Sequence, residues 1–397
     1  MEEFFSNLLE LPSIEVKLAE VSTKKIVLDC ESNLSESYCP VCLKKCKMVK
    51  DTYTREIRDL AISGKEVYLR LTVRQFVCQD CNRHFHEQFD FVAKHGTMTK
   101  RYEKFIYYRC KGVDLQYVVM QEDIRWKTVH RIFTQYSQAE ISSRDGFSEV
   151  KRIGMDEIAL KKGHKDFVAV IVNLENGQVL DLLPNRSKSY LKAYFQRKGA
   201  AFCAQIECFC SDMWEGYLNC AKEIFPNAVI IADRFHFFAY IQKEVDRCRR
   251  YLRKKHPEIE VLKNIKWTLF KPFENLSVEE KHTLNLIFEY PECELLKRTW
   301  VARNEFRDIL ESDLNKQQAE AKLEQWITQN TAYPNRFVQK FITFYQTWKI
   351  YILNYFVYRH TTSLIEGINN KLKVIKRRAY GFLSFENFRL RAIIEFE

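Results

Sequence analysis

Two Cys-x-x-Cys pairs, "CPVC" at residues 39–42 and "CQDC" at residues 78–81, constrain this chain more than any other feature. Four thiolates in two such pairs suit a closed tetrahedral zinc site, which would pin two distant segments to one point. The sequence around them is strand-like. Residues 13–30, "SIEVKLAEVSTKKIVLDC", alternate apolar and polar around a break at Ser22 and Thr23, and residues 66–77, "EVYLRLTVRQFV", alternate throughout. The expectation is a β zinc ribbon over residues 1–92, with one structural zinc ion on Cys39, Cys42, Cys78 and Cys81. A closed thiolate site has no open coordination position, so this metal would hold the fold and do no chemistry. Cys46, His84 and His86 are near enough in sequence to be second-choice ligands. The nine cysteines outside the two pairs, of 13 in all, read as small buried residues.

From residue 93 the period changes. "KRYEKFIYYRCKG", "DLQYVVMQEDI" and "RWKTVHRIFTQYSQ" carry helical spacing, which places three short helices within residues 93–148. The last two, joined by a short polar turn, fit a helix-turn-helix. Its second helix brings Arg125, Lys127, His130 and Arg131 forward as donors for base edges and phosphates. A helical hairpin with a basic face has the same spacing, so the neighbouring zinc module and the charge balance carry weight here. Sixty-three Lys and Arg against 52 Asp and Glu leave a net charge of +11, which favours an anionic partner, double-stranded DNA above all. The 46% hydrophobic content excludes wholesale disorder. No apolar run is long enough to cross a bilayer, and the start "MEEFFSNLLELPS" is acidic where a signal peptide would be basic, so a cytoplasmic location without membrane partners is expected.

Residues 149–245 contain the strand-like runs "RIGMDEIAL", "DFVAVIVNL" and "QVLDLLP", then helix, "IECFC", helix and "AVIIAD", an order of βββαβαβ. Residues 246–350 read as all-helical, and Ser277 followed by Glu280 is a capping-box pattern. Residues 351–397 return to a basic amphipathic helix carrying Glu366. Asp156 lies in the first strand and Asp212 directly after the fourth, and in this order those strands are expected to be neighbours. Clustered carboxylates repel unless divalent cations bridge them, and oxygen ligands suit Mg or Mn. Two such ions, held by Asp156, Asp212 and Glu366, can activate a water or a 3'-hydroxyl and stabilise the leaving oxygen of a phosphodiester. On the Glu366 helix, Asn370, Lys373 and Arg377 fall on one face and Ile365, Ile368, Leu372 and Ile375 on the other. Seven basic and two acidic residues lie between Thr361 and Arg391, so Lys373, Lys376, Arg377 and Arg378 are expected to meet DNA phosphates.

Together these segments resemble the ISL-three family of bacterial insertion-sequence transposases. The resemblance spans essentially the whole chain. It rests on "CPVC" and "CQDC" ahead of a helix-turn-helix, on "IGMDEIALKKGH", on "SDMWEGY" then "FPNAVIIADRFHFF", and on "SLIEGINNKLKVIKRRAYGFLSFENFRLR". It implies a multidomain α+β protein with a ribonuclease-H-like catalytic domain (βββαβαβ-α) interrupted by an all-helical insertion, and it makes Asp156, Asp212 and Glu366 an Asp-Asp-Glu metal site. Asp233 and His236 in "DRFH" look like an Asp-x-x-His element that supports such a site, with Asp233 the rival of Asp212 for metal contact. The implied activity is Mg-dependent cleavage and strand transfer at the terminal inverted repeats of the element, with capture of target DNA. The resemblance also implies a homodimer or larger assembly on DNA, in a bacterial, nucleoid-associated setting. Two other classes stay open on the residues alone: a DNA-binding regulator with an inactive nuclease-like domain, and a stand-alone metal-dependent nuclease.

Overall fold

The alternation in the N-terminal sequence becomes a five-stranded sheet. The structure, a computed structural model, describes residues 2–93, 95–144, 146–159, 167–359, 363–379, 381–382 and 384–396. Residues 160–164 of the "IGMDEIALKKGH" motif and residues 360–362 ahead of Glu366 lie outside the described residues. The chain divides into two compact units, residues 1–143 and 144–397.

The first unit opens with α1 (Glu2–Leu9), followed by β1 (Ile14–Val21), β2 (Lys25–Ser32), β3 (Ser37–Tyr38), β4 (Lys45–Cys46), β5 (Val49–Ile62), β6 (Lys65–Val77) and β7 (His84–His86). The main sheet runs β1-β2-β6-β5 with β7 also on β6, while β3 and β4 form a separate hairpin. Alternation in β6 buries Val67, Leu69, Leu71 and Val73 against Ile26, Leu28, Ile57 and, from α1, Phe5 and Leu9. β5 and β6 turn on Ser63 and Gly64, at φ of 51° and 75°, the two positive-φ positions that a two-residue hairpin of right-handed twist needs. Three helices follow, α2 (Lys100–Cys110), α3 (Leu115–Glu122) and α4 (Trp126–Ser142). They are fastened to β5 within the same unit. Buried Asp59 accepts from Thr99 Oγ1 at 2.6 Å and from Arg101 Nε at 2.8 Å, and Arg58 Nη1 donates to the Glu122 carbonyl at 2.6 Å.

The second unit is built on β8 (Arg152–Ala159), β9 (Phe167–Asn173), β10 (Val179–Leu183), β11 (Cys208–Ser211) and β12 (Val229–Ala232), in the order β10-β9-β8-β11-β12. β9 is antiparallel to β8 and β10, whereas β8, β11 and β12 run parallel. The first and fourth strands are therefore neighbours, as the sequence pattern leads one to expect. On one face, α5 (Lys188–Gln196), α6 (Ala200–Gln205) and α7 (Glu215–Ile224) bury Leu191, Phe195 and Leu218 against Ile153, Met155, Phe209 and Ile230. Then come α8 (Arg234–Lys255), α9 (Lys266–Phe270), α10 (Val278–Glu289), α11 (Glu294–Glu311), α12 (Lys316–Thr331) and α13 (Arg336–Leu353), with no strand between residues 246 and 350. Ser277 and Glu280 form the reciprocal capping box at the start of α10. After the short α14 (Tyr355–Tyr358), α15 (Ser363–Arg378) packs on β8 and α16 (Phe385–Glu395) on β10. Gly154 lets α15 approach. A Cβ there would fall 2.5 Å from Ile365 Cδ1. Among the described residues no helix is long and apolar enough to cross a membrane.

Candidate metal sites and nucleic-acid contacts

The two cysteine pairs fold into matching knuckles. Cys39 N donates to the Lys44 carbonyl and Cys78 N to the Arg83 carbonyl, each at 2.9 Å. Each loop also contains one residue at positive φ four places after its first cysteine, Leu43 at 60° and Asn82 at 52°. The four Sγ atoms of Cys39, Cys42, Cys78 and Cys81 lie within 4.8 Å of one another, with Cys39 and Cys81 3.6 Å apart and Cys42 and Cys78 3.4 Å apart. A zinc–thiolate tetrahedron with bonds of about 2.3 Å sets its sulfurs about 3.8 Å apart, so the cluster fits the ion. The backbone N–H of Cys42 holds the Cys39 thiol below its usual range and that of Cys81 brings Cys78 down to about 6, whereas burial pushes Cys81 up and the Cys78 sulfur holds Cys42 up, so Cys39 and Cys78 are the readier thiolates of the four. Cys46 is buried in the same small core, packed with Phe76 and Phe85, and stands outside the four-sulfur group. His84 and His86 are exposed and also stand outside it.

In the second unit, register aligns three aspartates. Ser211 pairs with Met155 on one side and with Ala232 on the other, so the next residues stand level: Asp156 midway along β8, and Asp212 and Asp233 directly after the ends of the adjacent parallel strands β11 and β12. Met155, Phe209 and Ile230 point into the core under α5 and α7. By the two-residue period the aspartates therefore belong to the opposite face, the one that α15 covers at Gly154. Asp156 Oδ1 accepts from Glu157 N and its Oδ2 from Asn369 Nδ2, both at 2.7 Å. Asp212 Oδ1 accepts from Trp214 N at 3.3 Å. Asp233 is fully buried and caps α8 by accepting from Phe235 N at 3.1 Å, while His236 Nε2 sits 3.5 Å from its other oxygen.

Among the described residues, neither Asp156 nor Asp212 has a Lys or Arg ion-pair partner. Burial raises both carboxyls, that of Asp212 to about 6. Asp233 adds to the rise at Asp156, and Glu157 and Asp156 add to the rise at Asp212. The His236 field and local N–H bonds oppose it. Two half-buried acids side by side without a basic partner are the donor chemistry that a divalent cation satisfies. Glu366 is exposed on the first turn of α15, and no three carboxylates among the described residues fall within 4.8 Å of one another. The α15 side chain that reaches Asp156 is Asn369. Its mark in the sequence is an Asn among Ile365, Ile368, Leu372 and Ile375 on the inward face, a signal absent from the acidic pattern that points to Asp156, Asp212 and Glu366.

The basic candidates divide by whether their own fold engages them. Arg125 is the exposed N-cap residue of α4, Lys127 is exposed in its first turn, and His130 stacks on Trp126 at 4.7 Å between ring centres. Arg131 Nη2 is bound to Glu103 Oε1 at 2.6 Å. On α15, Lys373 and Arg377 are exposed. Lys376 Nζ donates to the Ala159 carbonyl at 2.7 Å, and Arg378 is paired with Glu395. Ile365, Ile368, Leu372 and Ile375 are all buried, as the helical spacing requires.

Residues 153–392 match a family of DDE-type enzymes described as transposase, which covers more than half the chain. Residues 36–81 match the zinc finger described for the transposases of IS204, IS1001, IS1096 and IS1165. The chain is 28% identical over 373 residues to the transposase for insertion sequence element IS1001 of Bordetella parapertussis, covering 89% of this chain and 87% of that one. It is 31% identical over 127 residues, 32% of this chain and 28% of the relative, to the transposase for IS1557 of Mycobacterium tuberculosis. The protein is thus an enzyme of the DDE transposase class. Within that class it belongs to the ISL-three family, and the four-cysteine cluster is that family's zinc ribbon.

Proposed function

We propose that this transposase binds the terminal inverted repeats of its own insertion sequence and cuts and rejoins DNA at a two-cation Asp-Asp-Glu site. The observation that carries the reading is the level placement of Asp156 and Asp212 on neighbouring parallel strands, on the face covered by a basic helix. The strand order β10-β9-β8-β11-β12 with β9 reversed supports a ribonuclease-H-like domain, interrupted between α8 and α15 by a helical insertion. When bound, Mg or Mn supplies an activated water or 3'-hydroxyl and neutralises the leaving oxygen. Asp156 and Asp212 would hold the cations. Glu366, one helical turn from Asn369, would be the third acid to hold them. Lys373 and Arg377 on the outer face of α15 attract the phosphate backbone, while Asp233 and His236 support Asp156 and Asp212 from the neighbouring strand end.

In the same reading α3 and α4 form a helix-turn-helix in which Arg125 and Lys127 read the repeat, positioned beside the zinc ribbon of the same unit. Two DNA ends must be held together for joining, so a homodimer or larger assembly forms on DNA. The enzyme acts at the bacterial nucleoid in the cytoplasm. The test is a cleavage and joining assay on DNA bearing the inverted repeats that flank the gene. Asp156→Asn and Asp212→Asn should each bind the ends normally and fail to cut. Full cutting by Asp212→Asn with none by Asp233→Asn would transfer the second ligand position to Asp233.

A further inference from the structure

We infer that Asn369 is a positioning residue that fixes the Asp156 carboxylate for its cation. The inference rests on the reading of Asp156 as a cation ligand and goes beyond it, because it assigns a role to a residue outside the acidic set. Asn369 is 6% exposed and sits one turn after Ile365, the side chain that docks α15 at Gly154, two residues before Asp156. Its Nδ2 is 2.7 Å from Asp156 Oδ2. The amide has one tenable orientation, since the flipped form would set an oxygen against a carboxylate oxygen. Glu157 N takes one lone pair of Oδ1 and Asn369 one of Oδ2, so each oxygen keeps a lone pair for a metal ion. A neutral donor orients the carboxylate while leaving its charge intact, which Lys or Arg at this place would not do.

A second observation is independent of that contact. The Asn369 Oδ1 atom is buried and has no hydrogen-bond partner among the described residues. Buried polar atoms are nearly always satisfied, so this acceptor is available to a donor that arrives with the cation, such as one of its bound waters. Asn369 thereby acts on the cation twice, through Asp156 by its Nδ2 and through a bound water by its Oδ1.

The experiment titrates Mn into the full chain, with free Mn measured by electron paramagnetic resonance, for the wild type, Asn369→Leu and Asp156→Asn. Half-maximal Mg for cleavage and thermal melting are measured alongside. Loss of such a partner weakens metal binding by about tenfold or more, so Asn369→Leu should show that weakening and need correspondingly more Mg, with melting and end binding near wild type. Should Leu not fold, Asn369→Ser, which is small and too short to reach Asp156, is expected to show the same shift. Wild-type Mn binding in folded Asn369 variants, with loss in Asp156→Asn, overturns the inference alone. Wild-type Mn binding in Asp156→Asn overturns the cation reading beneath it.

Discussion

Arg389 on α16 donates its Nε to Oδ1 of Asp181 on β10 at 2.6 Å, and the Tyr194 hydroxyl of α5 donates to Oδ2 of the same carboxylate at 2.8 Å. Asp181 is 5% exposed, so one buried acid at the sheet edge joins a helix early in the second unit to the last helix of the chain. Arg389 lies in the "FENFRLR" segment, and its place in the fold is as an anchor.

Removing Arg389 would leave Asp181 buried without its cation. Breaking a buried pair from one side costs about 3 kcal/mol or more, and Arg389→Ala should lower unfolding stability by about that amount in a urea titration. A loss below about 1 kcal/mol, the range of an exposed ion pair, would show that water already satisfies the carboxylate.

The zinc ribbon leads to an elemental measurement. The purified chain should carry one zinc per molecule, and Cys39→Ser or Cys78→Ser should lose it together with the fold around residues 36–81. Structural zinc binding in such sites supplies folding free energy outright. Less than about half an equivalent of zinc in a normally folded protein would refute the assignment.

At the start of α4, Arg125 and Lys127 are exposed, whereas Arg131 is bound to Glu103. Arg125→Ala and Lys127→Ala together should weaken end binding by about 1–3 kcal/mol for each base-reading side chain removed, and Arg131→Ala should act mainly on stability. Unchanged footprints in the double variant would make α4 a packing helix.

These residues also mark how far the sequence could be read. β6 is legible because every second residue is buried, whereas the first half of β5 is exposed and charged and carries no alternation to find. Asp156 and Asp212 could be brought together because strand adjacency follows from the βββαβαβ order of the runs. Asn369 is marked in the sequence only as a polar residue on an apolar helix face, since what it does depends on a contact with a residue 213 positions earlier. The same holds for Arg131, Lys376 and Arg378: a basic residue looks alike in sequence whether it faces solvent or a carboxylate or carbonyl of its own fold.

The carboxyl of Asp212 leads to a pH effect with a definite sign. Burial pushes it up to about 6, against about 3.9 in an unfolded chain, so between these values the folded protein binds more protons. Stability is full below about pH 4, falls as pH rises to about 6, and stays reduced above it by an amount on the order of 3 kcal/mol. In buffer with a chelator, Asp212→Asn should exceed the wild type by that amount at pH 8 and match it in acid. Added Mg should stabilise the wild type at pH 8 more than it stabilises the variant. If urea unfolding at pH 8 finds Asp212→Asn no more stable, the carboxylate carries no such cost.

Glu366 sets the sharpest division between readings. It stands in the first turn of α15, exposed, three residues before the Asn369 that reaches Asp156, and residues so spaced are neighbours on a helix surface at about 5–6 Å between Cβ atoms. If Glu366 turns inward as the third ligand, Glu366→Gln should abolish cleavage and hold DNA as well as the wild type or slightly better, since a negative charge near the phosphates is gone. Binding and catalysis would separate. If it only complements the positive end of the helix, the same change should cost about 0.3–1 kcal/mol of stability and leave binding and cleavage moving together. An end-binding titration and a cleavage assay on one preparation, in Mg at fixed salt, decide between them. Cleavage retained in Glu366→Gln would remove this residue from the site, leaving the aspartates of the neighbouring strands to hold the cations.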